Sequence, residues 1–198
     1  MAVVFFKRLS NLGERLFALM ILYWGVSESF AAFWVHFKFG YTFFISNTLY
    51  LVEGILLSLT MLQWLDANSK LKKYGHYLVG GYVLLWLIFI SIDGYFSFSQ
   101  KTIYSENTLL CLLSGYVLIN LVGHLEESPL RRFEFWVCAG IFLFYIATIE
   151  IKTLLKFLQF NAAKPYMLLH AGVNIGCNIL YSIAFLCKFK LRQTTWYM

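Results

Sequence analysis

Charge is scarce in this chain. Only 13% of its 198 residues are Asp, Glu, Lys or Arg, while 60% are hydrophobic, and the mean hydropathy is +0.68. Average soluble domains are about 25% charged and about 45–50% apolar. A soluble fold of this length has too little interior to hide so much apolar side chain. Proline is nearly absent as well, with only Pro129 and Pro165, so long helices can run without a break. The four cysteines (Cys111, Cys138, Cys177, Cys187) form no CxxC pair and no Cys/His cluster. That excludes a recognisable disulfide framework, and each reads as a small apolar residue in or at the end of an apolar segment. The four histidines (His36, His76, His124, His170) are far apart, so the paired histidines of a zinc hydrolase are missing. There is no G-x-S-x-G elbow, no H-E-x-x-H and no P-loop. No linker, low-complexity run or internal repeat sets off a second domain. Kinase, nuclease and receptor domains have no room here, so any chemistry has to occur within the membrane or come from a partner.

What is present is a series of apolar stretches about 20 residues long, the length that crosses a hydrocarbon layer about 30 Å thick as a helix. Lipid offers no hydrogen bonds, so backbone amides must pair within each segment, and continuous stretches select helices over a barrel. Six spans are expected: about 16–34, 42–64, 77–96, 107–124, 133–153 and 166–187. The expected fold is therefore all-α, a polytopic transmembrane helical bundle forming a single domain over 1–198. Breakers fall between the spans at Gly40, at Asp66-Ala-Asn-Ser-Lys70 and at Pro129. Pro165 falls where a first helical turn tolerates proline. The N-terminal Met1-Ala-Val-Val-Phe-Phe6 run is too short for a signal peptide and has no small-residue cleavage site after it. The first span is expected to direct insertion itself.

Placing the N-terminus in the cytoplasm puts Lys7, Arg8, Arg15, Lys70, Lys72, Lys73, Arg131, Arg132, Lys188, Lys190 and Arg192 on that side. Lys38, Lys101, Lys152, Lys156 and Lys164 then lie outside, an eleven-to-five division of the sixteen basic residues. Cytoplasmic loops attract such an excess, so both termini are expected inside. The formal charge of +6 follows from these flanking residues and points to lipid head groups, not to nucleic acid. Aromatics near the predicted ends, among them Trp34, Trp64, Tyr77, Tyr95 and Trp136, suit the head-group level.

Ionisable groups inside a span are costly, on insertion scales about 2.5–3.5 kcal/mol each, and normally face a protein interior or a wet cavity. The candidates for ligand binding or a proton relay are Glu28, Glu53, Asp93, Glu150 and His170, joined by Asn174 and Asn178. In the expected topology all the ionisable ones lie at mid-membrane or further out. Together they suggest an outward-opening polar pocket, with residence at the wet interface as the plainer alternative. His170, Asn174 and Asn178 recur every four residues with Tyr181 close behind, so they share a helix face. That face is expected to turn inward, with Gly172 and Gly176 as a helix-packing pair on roughly the opposite side. Interhelical hydrogen bonding alone would also account for the stripe. Tyr116, Asn120 and His124 form a similar row, and Tyr50 shares a face with Glu53.

Phe133-Glu-Phe-Trp136, Gly140, Tyr145, His170-Ala-Gly-Val-Asn174 and Asn178-Ile-Leu-Tyr181-Ser-Ile-Ala-Phe185, with Asn47-Thr-Leu-Tyr50 and Glu53, carry a family resemblance. Over about the last three-quarters of the chain, the sequence resembles small multi-pass membrane proteins common in Bacteroidota. The resemblance implies a bacterial inner (plasma) membrane location and a connection with signalling. That set reads as seven spans with an outside N-terminus, so the six spans here imply an N-terminal span missing or merged. Over the first two spans alone, Ser27-Glu28, Phe33-Trp34 and Ser46-Asn47 resemble the start of alkaline ceramidase-like membrane hydrolases, without their paired histidines. The leading expectation is a non-enzymatic sensor or regulatory component, with no cofactor and no metal. Its partners would be the lipid bilayer and a cytoplasmic or membrane protein, with a homo-oligomer also open. The alternatives are a proton-coupled transporter or oligomeric channel of the kind that accompanies defence loci, and an intramembrane metal-dependent lipid hydrolase.

Overall fold

A computed structural model describes residues 9, 11–37, 43–97, 99–123, 128–157 and 163–194. Six long helices follow one another: α1 (Leu12–His36), α2 (Phe43–Gln63), α3 (Lys70–Asp93), α4 (Gln100–Gly123), α5 (Phe133–Phe157) and α6 (Ala163–Thr194). A short 3-10 turn, Pro129–Arg131, precedes α5, and no strand occurs among the described residues. All six helices are long and apolar enough to cross a membrane. The all-α, six-span expectation therefore holds, with each expected span inside or nearly coincident with one helix.

The helices outrun the apolar windows at several ends because hydrogen bonding, not hydropathy, sets where a helix stops. The Asn11 side chain caps α1 by accepting from the Glu14 amide at 2.8 Å, the N-cap half of a capping box. Ser99 does the same for α4, its hydroxyl accepting from the Thr102 amide at 3.3 Å. This cap starts α4 at Gln100, well before the apolar run expected from Asn107. At the end of α3, Gly94 adopts φ +87° and its amide returns to the Ile90 carbonyl at 2.9 Å. A side chain at Gly94 would strain this left-handed stop.

The chain divides into two compact units, 1–106 and 107–198, with α4 starting in the first and continuing in the second. In the first unit α1, α2 and α3 pack in antiparallel succession. Gly13 of α1 lies against the Trp64 indole, and at the other end Trp34 meets Phe44 edge-on at 5.3 Å. Phe17, Met20, Leu57 and Met61 are fully buried between these contacts. α2 and α3 meet where Gly75 receives Leu62 and Gly54 receives Tyr82.

In the second unit α5 and α6 pair antiparallel. Gly140 receives the Tyr181 ring, and its carbonyl accepts from the Cys177 thiol at 3.3 Å. Phe133 meets Phe185 at 5.2 Å near one end, and Phe144 lies 5.8 Å from the His170 ring toward the other. Gly115 of α4 lies against Phe142. Outward-facing Leu84, Ile88, Ile92, Leu112, Ile119, Leu168, Ile175 and Leu186 are each about half exposed or more. In water such exposed apolar side chains would be a liability; in a bilayer they are the solvated surface of each unit.

Candidate functional site

The first unit carries a buried polar core built on α2, α3 and the start of α4. Its centre is Tyr82, halfway along α3 and 3% exposed. Gly54 makes room for it: a Cβ there would fall 2.5–2.7 Å from three atoms of the Tyr82 phenol. The ring thus lies directly on the α2 backbone. Its hydroxyl donates to the Tyr50 carbonyl at 2.7 Å. That bond uses the phenol's one proton and leaves its oxygen lone pairs as acceptors.

Two buried acidic side chains act on this phenol through their charge. Glu53 stands beside Gly54 on α2 and is 6% exposed, and Glu106, from the second turn of α4, is 1% exposed. Both bear electrostatically on the Tyr82 hydroxyl. Charge withdrawn from water in this way demands compensation by a proton, a cation or hydrogen-bond donors.

A second polar layer closes the α3–α4 end. The Asn47 side-chain amide donates to the Tyr95 carbonyl at 2.8 Å and to the Ser97 carbonyl at 2.9 Å. The backbone carbonyl of Asn47 in turn accepts from the Trp86 indole at 3.1 Å. Thr48 and Tyr95 share a short hydroxyl–hydroxyl bond. At the rim Asp93 accepts from Ser99 at 2.8 Å and from Lys101 at 3.0 Å. Asp93 is thus engaged in an ion pair that joins the end of α3 to the start of α4.

The remaining candidates lie elsewhere. Glu28 on α1 and Glu150 on α5 are exposed. His170 is half-buried beside Phe144. Asn174 and Asn178 were expected to turn inward with Tyr181 but are exposed; Tyr181 itself is buried, with Cys177 and Ala184, on the side of α6 facing α5. The physical reason is local, since the Asn178 amide donates to the Asn174 carbonyl one turn back at 2.9 Å and so meets part of its demand within its own helix. Asn120 treats the Tyr116 carbonyl likewise at 2.8 Å, and His124 lies outside the described residues. Gly172 and Gly176 correct the packing expectation: nothing among the described residues lies within 4 Å of a Cβ at either, and Gly140 provides the close approach in this unit. Cys138 and Cys177 are buried, whereas Cys111 and Cys187 are half-buried.

Glu106, Tyr82 and Asn47 were not among the candidates. Glu106 lies one residue before the apolar run read from Asn107. Counting instead from the Ser99 cap places it on the same face as Leu110, Leu113 and Val117, all buried. Glu14, fully buried at the start of α1, escaped for the same reason. Among the described residues no three His, Cys, Asp or Glu side chains group so as to hold a metal ion. Compared with protein-family models, with curated proteins and with solved structures, the chain matches none.

Proposed function

We propose that the chain is a non-enzymatic sensory or regulatory membrane component whose sensing element is the Glu53–Tyr82–Glu106 centre. The reading is carried by two buried acidic side chains, from α2 and α4, that bear electrostatically on one buried phenol on α3. A proton is the simplest ligand for such a centre. Its arrival or loss changes the charge between three helices, and packed helices respond to such a change by shifting between discrete arrangements. The basic excess at the N-terminus, the start of α3, Arg131, Arg132 and the C-terminal end of α6 supports a cytoplasmic placement of both termini in a bacterial inner membrane. A cytoplasmic or membrane protein partner would then read the basic face, because the short loops between the helices leave no room for an output domain.

The test is amide hydrogen exchange of the chain in lipid nanodiscs, from mildly acidic to neutral pH. Protection in α2 and α3 should change with pH in the natural chain and become pH-independent in Glu53→Gln. Unchanged protection in the natural chain would refute the sensing role, and turnover of lipid by the purified chain alone would refute the non-enzymatic one.

The same buried carboxylates favour one second reading, passage of protons through the membrane. Proton flux into liposomes that Glu53→Gln abolishes would select it over sensing.

A further inference from the structure

We infer that α6 carries a homotypic docking face, centred on Asn174, Asn178 and Ser182, which pairs with the same face of a second copy within the membrane. The inference does not rest on the carboxylate centre, which belongs to other helices.

Asn178 falls at the midpoint of the membrane-crossing segment Leu168–Lys188, with ten residues on either side. At 1.5 Å per residue it lies about 15 Å from each end, near the bilayer midplane. Yet Asn174, Asn178 and Ser182 are all exposed, flanking the side of the helix on which Cys177, Tyr181 and Ala184 are buried. An amide facing hydrocarbon lacks the partners that water would supply, and this is the costly arrangement that membrane proteins avoid. The occupant of this face must therefore be another membrane-embedded polar surface, since a water-soluble partner does not reach that depth.

The amide chemistry selects the same face of a second copy. Asn178 spends one N–H on the Asn174 carbonyl, and Ser182 donates to the Asn178 carbonyl at 2.8 Å. Asn178 keeps a second N–H and a side-chain carbonyl. Two such amides related by a two-fold axis are mutually complementary, donor to acceptor in both directions. Copies inserted with one orientation can share only a two-fold axis along the membrane normal, so residue 178 meets its own counterpart. The exposed small residue Ala171 within the stripe lets the backbones approach.

The experiment is a cysteine scan of the full chain in lipid bilayers, in a Cys111→Ser/Cys187→Ser background. Ala171→Cys, Asn174→Cys, Asn178→Cys and Ser182→Cys should each link two copies on oxidation. Native Cys177 and Leu180→Cys should not. In parallel, Asn174→Leu/Asn178→Leu should raise the dimer dissociation constant about threefold to tenfold, measured by subunit counting as lipid dilutes the protein. These side chains are exposed, so helicity and thermal stability of the variant should match the natural chain. Links without the helical periodicity, a dissociation constant unmoved by the double substitution, or a chain monomeric at every dilution would each overturn the inference. Links from residue 178 only to the same chain's first unit would also overturn it and assign the face to that unit.

Discussion

Gly54→Ala probes the architecture of the buried centre with a single methyl group. The new Cβ would lie 2.5, 2.6 and 2.7 Å from Cε1, Cζ and the hydroxyl of Tyr82, well inside van der Waals contact. Tyr82 cannot swing freely, because it is 3% exposed and its hydroxyl is bonded to the Tyr50 carbonyl. Overpacking of this kind costs about 1–3 kcal/mol. If the ring gives way it also loses the Tyr50 bond, worth about 1 kcal/mol. The expected destabilisation is thus about 2–4 kcal/mol, measurable by reversible unfolding in mixed detergent–SDS micelles. Tyr82→Phe alone should cost only about 1 kcal/mol, because it removes the bond and keeps the ring. In a Tyr82→Ala background the methyl group has nothing to strike, so Gly54→Ala should become nearly neutral, and the cycle should show a large coupling. A fully tolerated Gly54→Ala, or an equal cost in both backgrounds, would refute the placement of Tyr82 on the α2 backbone.

Asn47→Leu should cost about 1–3 kcal/mol, since the Tyr95 and Ser97 carbonyls lose their shared donor; hydrogen exchange should show the loss concentrated in the α3–α4 turn. Ser99→Ala should cost about 1 kcal/mol through loss of the α4 cap and should loosen the first turn of that helix, where Thr102 reports it. In the second unit, Gly140→Leu should destabilise by about 1–3 kcal/mol or more, because a Cβ there already lies 2.5 Å from Tyr181. Gly172→Leu, in open space, should leave monomer unfolding unchanged and so separates the two glycine environments in the same assay.

The fold class was legible because the physics behind it is coarse. Six long apolar runs leave the backbone no option but helices, and every run became one. Helix ends were less legible, since Asn11, Ser99 and Gly94 act through individual hydrogen bonds that hydropathy does not register. Glu53 was legible because an acid at the centre of an apolar span stands out, and it is buried. Glu106 was hidden by lying just outside the apolar run, although its helix had already begun. The Asn174–Asn178 stripe shows the limit of periodicity. Spacing places residues on a common face but does not say which way the face turns. Here the local Asn178–Asn174 bond allows it to turn outward. Tyr82, as one of 13 tyrosines, carried no mark in the sequence until Gly54 and Tyr50 were seen opposite it.

The most direct test of the central claim is the infrared spectrum of the carboxyl stretching bands, protonated and ionised, of the chain in lipid, compared among the natural sequence, Glu53→Gln, Glu106→Gln and Tyr82→Phe. Two carboxylates acting on one phenol predict that each Gln substitution removes its own band and displaces the other's, and that Tyr82→Phe displaces both. Bands that disappear independently, each unaffected by the other substitution and by Tyr82→Phe, would contradict a shared buried centre.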